Sequence, residues 1–141
     1  ATGSLLAGMA FGNAGVGAVR SLAYPLGGRF HISHGVSNAL LLPHVMEYNK
    51  IACLEKFTPI AQAFGLPIEQ KTHQYAADSV IEFLHRLCRD VNIPKSLRNL
   101  DIPQDAIPEL ASEAIKVERL LRNNPRKLTL VEIESIYQAA Y

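Results

Sequence analysis

The sequence predicts an all-α fold, and three observations carry this prediction. No segment sustains the apolar and polar alternation of a half-buried strand. No Asn-Gly or Asp-Gly turn joins two apolar runs, so tight hairpins are not expected. Signals that start and stop helices recur along the whole chain, and no linker divides it. We therefore expect one helical domain that covers residues 1–141.

Two helices are predicted at the start of the chain, Ser4–Phe11 and Ala14–Tyr24. The run Pro25–Gly28 places three helix breakers together and is expected to end the second helix. Residues Arg29–Ser33 would then form a loop. The chain opens directly in an apolar helix without a starting methionine, so we expect it to be part of a longer sequence.

The run Ala1–Val19 carries no charge, which raises the alternatives of a membrane span and a signal peptide. Both fit poorly, because the run contains five glycines and the polar Asn13 and has no positively charged start. We expect instead a buried helix pair whose small residues allow close backbone approach.

The remaining helices are predicted where apolar periodicity lies between capping and breaking residues. Ser33 or Ser37 is expected to cap the next helix, and Pro43 to kink it or begin a new one. Thr129 lies three residues before Glu132, as in a capping box. The predicted ranges are Val36–Leu42, His44–Leu54, Pro59–Phe64, Glu69–Val91, Pro108–Leu121 and Leu130–Tyr141, with one short turn at Ser96–Asn99 in the connection before Pro108.

Charge and cysteine content narrow the class of protein. Fourteen basic residues nearly balance thirteen acidic ones, and no basic stripe with interleaved aromatics is present, so nucleic acid is not an expected partner. Cys53 and Cys88 show no zinc-ribbon or CxxC spacing. Two free thiols are typical of a reducing compartment, so we expect a cytoplasmic protein without disulfides.

Among the five histidines, only His31 and His34 lie in a setting that resembles a site. Two imidazoles three residues apart on a glycine-flanked loop could bind a metal together, since imidazole nitrogen suits iron, zinc and nickel. The alternative is that both are loop histidines that form hydrogen bonds with the backbone, and their spacing alone does not decide between the two. The other three histidines fit helix surfaces or a satisfied core. Gly27-Gly28 lacks the spacing of a phosphate loop.

The stretch Gly17–Gly35 resembles the histidine-bearing signature of the iron-containing (group III) alcohol dehydrogenases. The likeness extends to Gly8–Gly15, to His34–Asn49, and to the Asn-Pro-Arg sequence at Asn124–Arg126 ahead of a terminal helix. It covers essentially the whole chain. The resemblance implies the later part of the C-terminal helical domain of the dehydroquinate synthase-like fold, paired in the full enzyme with an N-terminal α/β domain that binds NAD or NADP.

The resemblance also implies roles for individual residues. His34 corresponds to a ligand of a divalent ion, iron or zinc, and Phe11 to an aromatic residue of the nicotinamide pocket. Arg20 stands where the family has a second histidine ligand, fourteen residues before His34. Tyr24 stands where many members have a histidine near the substrate. A tyrosine is a poorer proton shuttle than histidine near neutral pH.

Arg20 changes the expected chemistry, because a guanidinium has no lone pair to give a metal. We take Arg20, Tyr24 and His31 as candidate catalytic residues. One hypothesis is a reductase with little or no need of metal, in which Arg20 contacts the substrate oxygen or a carboxylate. In a second, the ion stays and Arg20 turns aside. In a third, catalysis is lost.

The expected activity is that of an NAD(P)-dependent alcohol dehydrogenase acting on a small alcohol, aldehyde or ketone. The alternatives are a keto-acid reductase resembling maleylacetate reductase and a non-catalytic helical module. Family tendency suggests a homodimer or larger. The composition of Ala1–Val19 makes a membrane partner unexpected. We expect residues 1–141 to be inactive alone, because half of the interdomain cleft would be missing.

Overall fold

A computed structural model describes all 141 residues, and it contains eight α-helices and no strand. The all-α prediction is therefore confirmed. Short 3-10 turns lie at Lys50–Ala52, Leu54–Lys56, Leu97–Leu100 and Gln104–Ala106. The helices are α1 (Thr2–Ala14), α2 (Ala18–Phe30), α3 (His34–Asn49), α4 (Phe57–Ala63), α5 (His73–Asp90), α6 (Ile107–Ala114), α7 (Glu118–Leu121) and α8 (Leu130–Ala139).

Two groups of buried side chains hold the helices together. The larger group has seventeen residues and lies where α2 packs between α3 and α6, with α8 behind α6. The smaller group has nine residues and joins α4 to α5. Contacts between α3 and α5 connect the two groups. Leu22 and Tyr137 are both fully buried in the larger group, and the Tyr137 hydroxyl donates to the Leu22 carbonyl at 2.6 Å.

The predicted end of the second helix at Pro25 is wrong, because α2 continues to Phe30 and carries Pro25 in its interior. Proline removes one N–H bond from a helix, but packing can outweigh that loss. Pro25 is itself buried, as are Leu22 and Leu26 on the same helix. The predicted loop Arg29–Ser33 therefore shrinks to the three residues between α2 and α3.

Pro43 likewise lies inside a continuous helix, α3, rather than at a boundary. A proline frees the carbonyl four residues before it, which here belongs to Ala39. The Cys88 thiol of α5 donates to that carbonyl, with an Sγ to O distance of 3.4 Å. A side chain from a neighbouring helix thus replaces the missing backbone donor.

The predicted burial of the first helix pair is only half right. Helix α2 is buried as expected, but α1 has no buried residue, and Leu5, Leu6 and Met9 are all more than half exposed. Helix α1 is apolar on every side, so it presents no single face that would select a packing partner within the chain. None of the eight helices is long and apolar enough to cross a membrane.

Side-chain capping sets the start of only two of the helices, α5 and α8. Ser33 directly precedes α3, but neither Ser33 nor Ser37 makes the predicted capping bond, since the Ser37 hydroxyl donates to the Ser33 carbonyl instead. Helix α5 begins at His73 rather than at Glu69, because the Thr72 side chain accepts the Tyr75 N–H at 3.2 Å. The predicted helix over Pro108–Leu121 divides into α6 and α7. The capping box of Thr129 is present, and both cysteines are free, as predicted.

Candidate functional site

A cavity of about 640 Å³ opens where α1, α2 and α7 meet. Helix α1 contributes its last turn, α2 its first two turns, and α7 the side that faces them. The lining contains no carboxylate. The lining residues are Phe11, Gly12, Asn13, Ala14, Gly15, Val16, Arg20, Tyr24, Arg119, Leu120 and Asn123.

Arg20 lies in the first turn of α2, with its guanidinium carbon 5.3 Å from the centre of the Phe11 ring. This is within the range of a cation–π contact. Its Nε is buried and has no hydrogen-bond partner, and Arg20 is in none of the chain's ion pairs. An unpaired donor on a charged group is costly, so pairing the Arg20 guanidinium with an acceptor would be favourable.

Tyr24 lies one turn after Arg20 on α2 and connects the cavity to His34. The rings of Tyr24 and His34 stack with 6.0 Å between their centres, although His34 is not part of the cavity lining. The His34 Nε2 lies 3.2 Å from the side-chain nitrogen of Asn38. An amide nitrogen only donates, so Nε2 is the acceptor here, and its lone pair already has a partner.

Two neighbouring asparagines hold the junction between α1 and α2. The Asn123 amide donates to the carbonyls of Ala14 at 2.9 Å and Val16 at 3.2 Å. The Asn124 oxygen accepts the Ala18 N–H at 3.3 Å, at the start of α2. These bonds hold the backbone at the start of α2, from which the side chain of Arg20 extends two residues later.

Glycines make this junction as tight as it is. Gly15 adopts φ +75°, a conformation that other residues rarely take. A Cβ at Gly17 would lie 3.1 Å from the Asn124 oxygen, closer than ordinary contacts allow. Asn124 also exchanges two side-chain hydrogen bonds with the buried Asn49, of 2.6 and 3.0 Å, which join the junction to α3.

The structure brings together three of the five residues singled out in the sequence. Phe11, Arg20 and Tyr24 line one cavity, and His34 reaches it only through its contact with Tyr24. His31 is elsewhere, exposed at the C-terminal end of α2 in the left-handed conformation with φ 56°. The geometry therefore gives His31 no contact with the cavity.

Sequence reasoning missed Arg119 and Asn123, which lie about a hundred residues from the signature in the chain. No motif marks Arg119, one of several arginines on polar helices. The only local pattern at Asn123 is the helix break before Pro125, which predicts a turn but no contact with the cavity. Contact across such a separation depends on how α7 packs against α2, which local patterns do not encode.

Residues 1–141 do not by themselves fit a divalent ion. No three His, Cys, Asp or Glu side chains are close enough to hold one. His34 is a single imidazole, and the position that would hold a second ligand is the guanidinium of Arg20. Any ion at His34 would need its other ligands from outside this chain.

Comparisons with known proteins agree over the whole chain. The family model described as "Fe-containing alcohol dehydrogenase family, C-terminal" matches residues 1–141. Long-chain-alcohol dehydrogenase 1 of Geobacillus thermodenitrificans is 45% identical over 141 residues, which are all of this chain and 36% of that protein. Lactaldehyde reductase of Escherichia coli K12 is 40% identical over 141 residues, again the whole chain, and 37% of its own length is covered.

Solved structures give the same result in three dimensions. A crystal structure of 1,3-propanediol oxidoreductase superposes with a TM-score of 0.93 at 43% identity, over 98% of this chain and 36% of that one. An alcohol dehydrogenase from Oenococcus oeni gives 0.91 at 39% identity, over 96% of this chain and 35% of its own. The chain thus spans little more than a third of these relatives. It belongs to the iron-containing alcohol dehydrogenase family and matches that family's C-terminal region.

Proposed function

We propose that this chain forms the helical half of the active site of an NAD(P)-dependent alcohol dehydrogenase that interconverts a small alcohol and its aldehyde or ketone. The observation that carries the proposal is the unpaired, partly buried guanidinium of Arg20 beside Phe11 and Tyr24 in one cavity. The relatives named above are alcohol dehydrogenases and reductases, which supports the reaction class.

Arg20 would place a fixed positive charge where the substrate oxygen becomes negative. A bound nicotinamide would supply the hydride acceptor or donor for the substrate carbon, and the substrate oxygen loses a proton on oxidation and gains one on reduction. Hydrogen bonds from a guanidinium stabilise such an oxygen more than they stabilise the neutral substrate. Phe11 would pack against the nicotinamide ring, and the Tyr24 hydroxyl would exchange the proton with solvent.

The two other hypotheses for this site make different demands on Arg20. If an ion is held by His34 and residues outside this chain, the guanidinium must turn toward a carboxylate or solvent. Arg20 has no carboxylate partner, and its Nε is shielded from solvent. This favours the arginine-based site. The third hypothesis, loss of catalysis, gives no reason for the unpaired Nε of Arg20.

We further propose that residues 1–141 form one structural domain of the intact enzyme and are inactive without the cofactor-binding part. A homodimer in the cytoplasm is the expected setting, supported by family tendency and by the two free thiols. The chain's span of 36% of a relative leaves room for a separate cofactor domain.

The test is cofactor-dependent reduction of short aldehydes and ketones by the full-length protein, with NADH and NADPH in turn. Arg20→Gln should lower kcat/KM about 100-fold, the usual cost of removing a donor to a developing oxyanion. Arg29→Gln is the matched control, since Arg29 lies on the same helix but is exposed and pairs with Glu109 and Glu113. Equal activity in wild type and Arg20→Gln would refute the role of Arg20.

A further inference from the structure

A second guanidinium faces the same cavity as Arg20. Arg119 lies on α7, is exposed, and lines the opening together with Tyr24 and Asn123. It has no ion-pair partner, whereas Arg122, three residues later, pairs with Glu118 at 3.3 Å and lines a different cavity. Arg119 is therefore available to a ligand in a way that Arg122 is not.

The charges around the cavity are of one sign. Two guanidiniums line it, and no Asp or Glu does. Like charges that face one space raise its potential and attract anions. A neutral alcohol or aldehyde offers one oxygen, which Arg20 alone can bind, and it would leave Arg119 without a partner. A carboxylate offers two more oxygens in the geometry that a guanidinium binds best.

The two arginines also differ in position. Arg20 is partly buried and packs on Phe11 in the first turn of α2, while Arg119 is exposed on α7. A ligand that spans the cavity would place one group at each. The cavity has a volume of about 640 Å³, which is ample for a short chain of carbon atoms with a polar group at each end.

We propose that the substrate is a short oxo acid, with its carbonyl oxygen at Arg20 and its carboxylate at Arg119. The carbonyl group as the reacting group rests on the proposed function. The carboxylate at the other end is inferred from Arg119 alone. The same anionic chemistry is present in the phosphates of the cofactor, so the experiment must separate the two sources.

The experiment compares 4-oxobutanoate with butanal, a neutral carbonyl compound of equal chain length, using the full-length enzyme. Wild type should reduce 4-oxobutanoate with the lower KM. Arg119→Gln should raise the KM for 4-oxobutanoate tenfold or more, as expected for losing a charged hydrogen bond, and change that for butanal by less than about twofold. Arg119→Lys should recover part of the loss, because it keeps the charge without the planar fork.

Arg122→Gln removes a nearby arginine that does not line this cavity, so it is the charge control and should leave both KM values unchanged. An unchanged ratio of the two KM values in Arg119→Gln would overturn the proposal. A rise in the KM for NADH or NADPH alone would also overturn it and assign Arg119 to a cofactor phosphate.

If neither carbonyl compound is reduced, the proposed function fails by itself. Calorimetric titration with butanedioate, an unreactive anion, then decides the binding claim. Weaker binding to Arg119→Gln than to wild type would support an anion site, and equal binding would overturn it.

Discussion

Helices α1 and α2 are neighbours in the sequence and both have thirteen residues, yet α1 is wholly exposed and α2 is central to the core. Helix α2 carries two charged residues, Arg20 and Arg29, and buries Leu22 and Leu26 in the larger group of core residues. Helix α1 has no charged residue and no distinct apolar face. An amphipathic pattern, rather than total hydrophobicity, decides which helix finds a place in the bundle.

The candidate site lies where these two unlike helices meet. Phe11 comes from the exposed helix and Arg20 from the buried one. Helix α2 thus gives the guanidinium a fixed position, while Phe11 depends on the polar junction made by Asn123. Mutations in α1 should therefore leave the part of the site on α2 in place, and the variants below test this difference between the two helices.

The largest effect should come from truncating a core residue of α2. Leu22→Ala removes a fully buried side chain and should lower the free energy of unfolding by about 2–5 kcal/mol. Leu6→Ala, the same change on α1 at a residue 60% exposed, should cost less than about 0.5 kcal/mol. Urea denaturation of residues 1–141 measures both, and equal losses would show that α1 is not the free helix described here.

The two junction asparagines should also differ. Asn124→Ala leaves the buried Asn49 amide without its partner and frees the first N–H of α2, so a loss of about 1–3 kcal/mol is expected. Asn123→Ala breaks only exposed bonds to the end of α1 and should cost less than about 1 kcal/mol. Thermal unfolding of both variants checks the order, and a reversed order would contradict the account of the junction.

Acid sensitivity should come from the bundle, since α1 has no titratable side chain. Burial, with a smaller contribution from the nearby His85, lowers the pKa of His44 from 6.5 to about 4. His44 therefore stays neutral in the folded state, while the unfolded chain takes up its proton near pH 6.5. The stability linked to His44 is fully present above that pH and is lost as the pH falls toward 4.

His44 is only partly buried, so the loss should be about 1–2 kcal/mol rather than the roughly 3 kcal/mol of the full shift. The surrounding cavity is lined by Cys88, Arg89 and Lys95 and by no Asp or Glu, so no carboxylate there stabilises a protonated His44. Denaturation of wild type and His44→Gln at pH 7 and pH 5 measures the effect. A His44→Gln protein as acid-sensitive as wild type would contradict it.

Local patterns in the sequence predicted the helices and the capping box at Thr129, because these depend on residues close in the chain. They failed at Pro25, which lies buried inside α2, and they left open whether a new helix begins at Pro43, where α3 continues and the Cys88 thiol replaces the lost N–H. The predicted burial of α1 is also wrong, because none of its apolar side chains is buried against another helix of residues 1–141. Resemblance to a family identified Phe11, Arg20 and Tyr24, whereas Arg119 depends on packing across a hundred residues and had no signal.

The central claim is that Arg20 supplies the positive charge that a metal ion would otherwise bring. The most direct test is elemental analysis by mass spectrometry of full-length wild type and Arg20→His, purified with ferrous or zinc ion and then dialysed. Arg20→His should retain more iron or zinc than wild type, which should hold far less than one ion per subunit. One tightly held ion per wild-type subunit would contradict the claim.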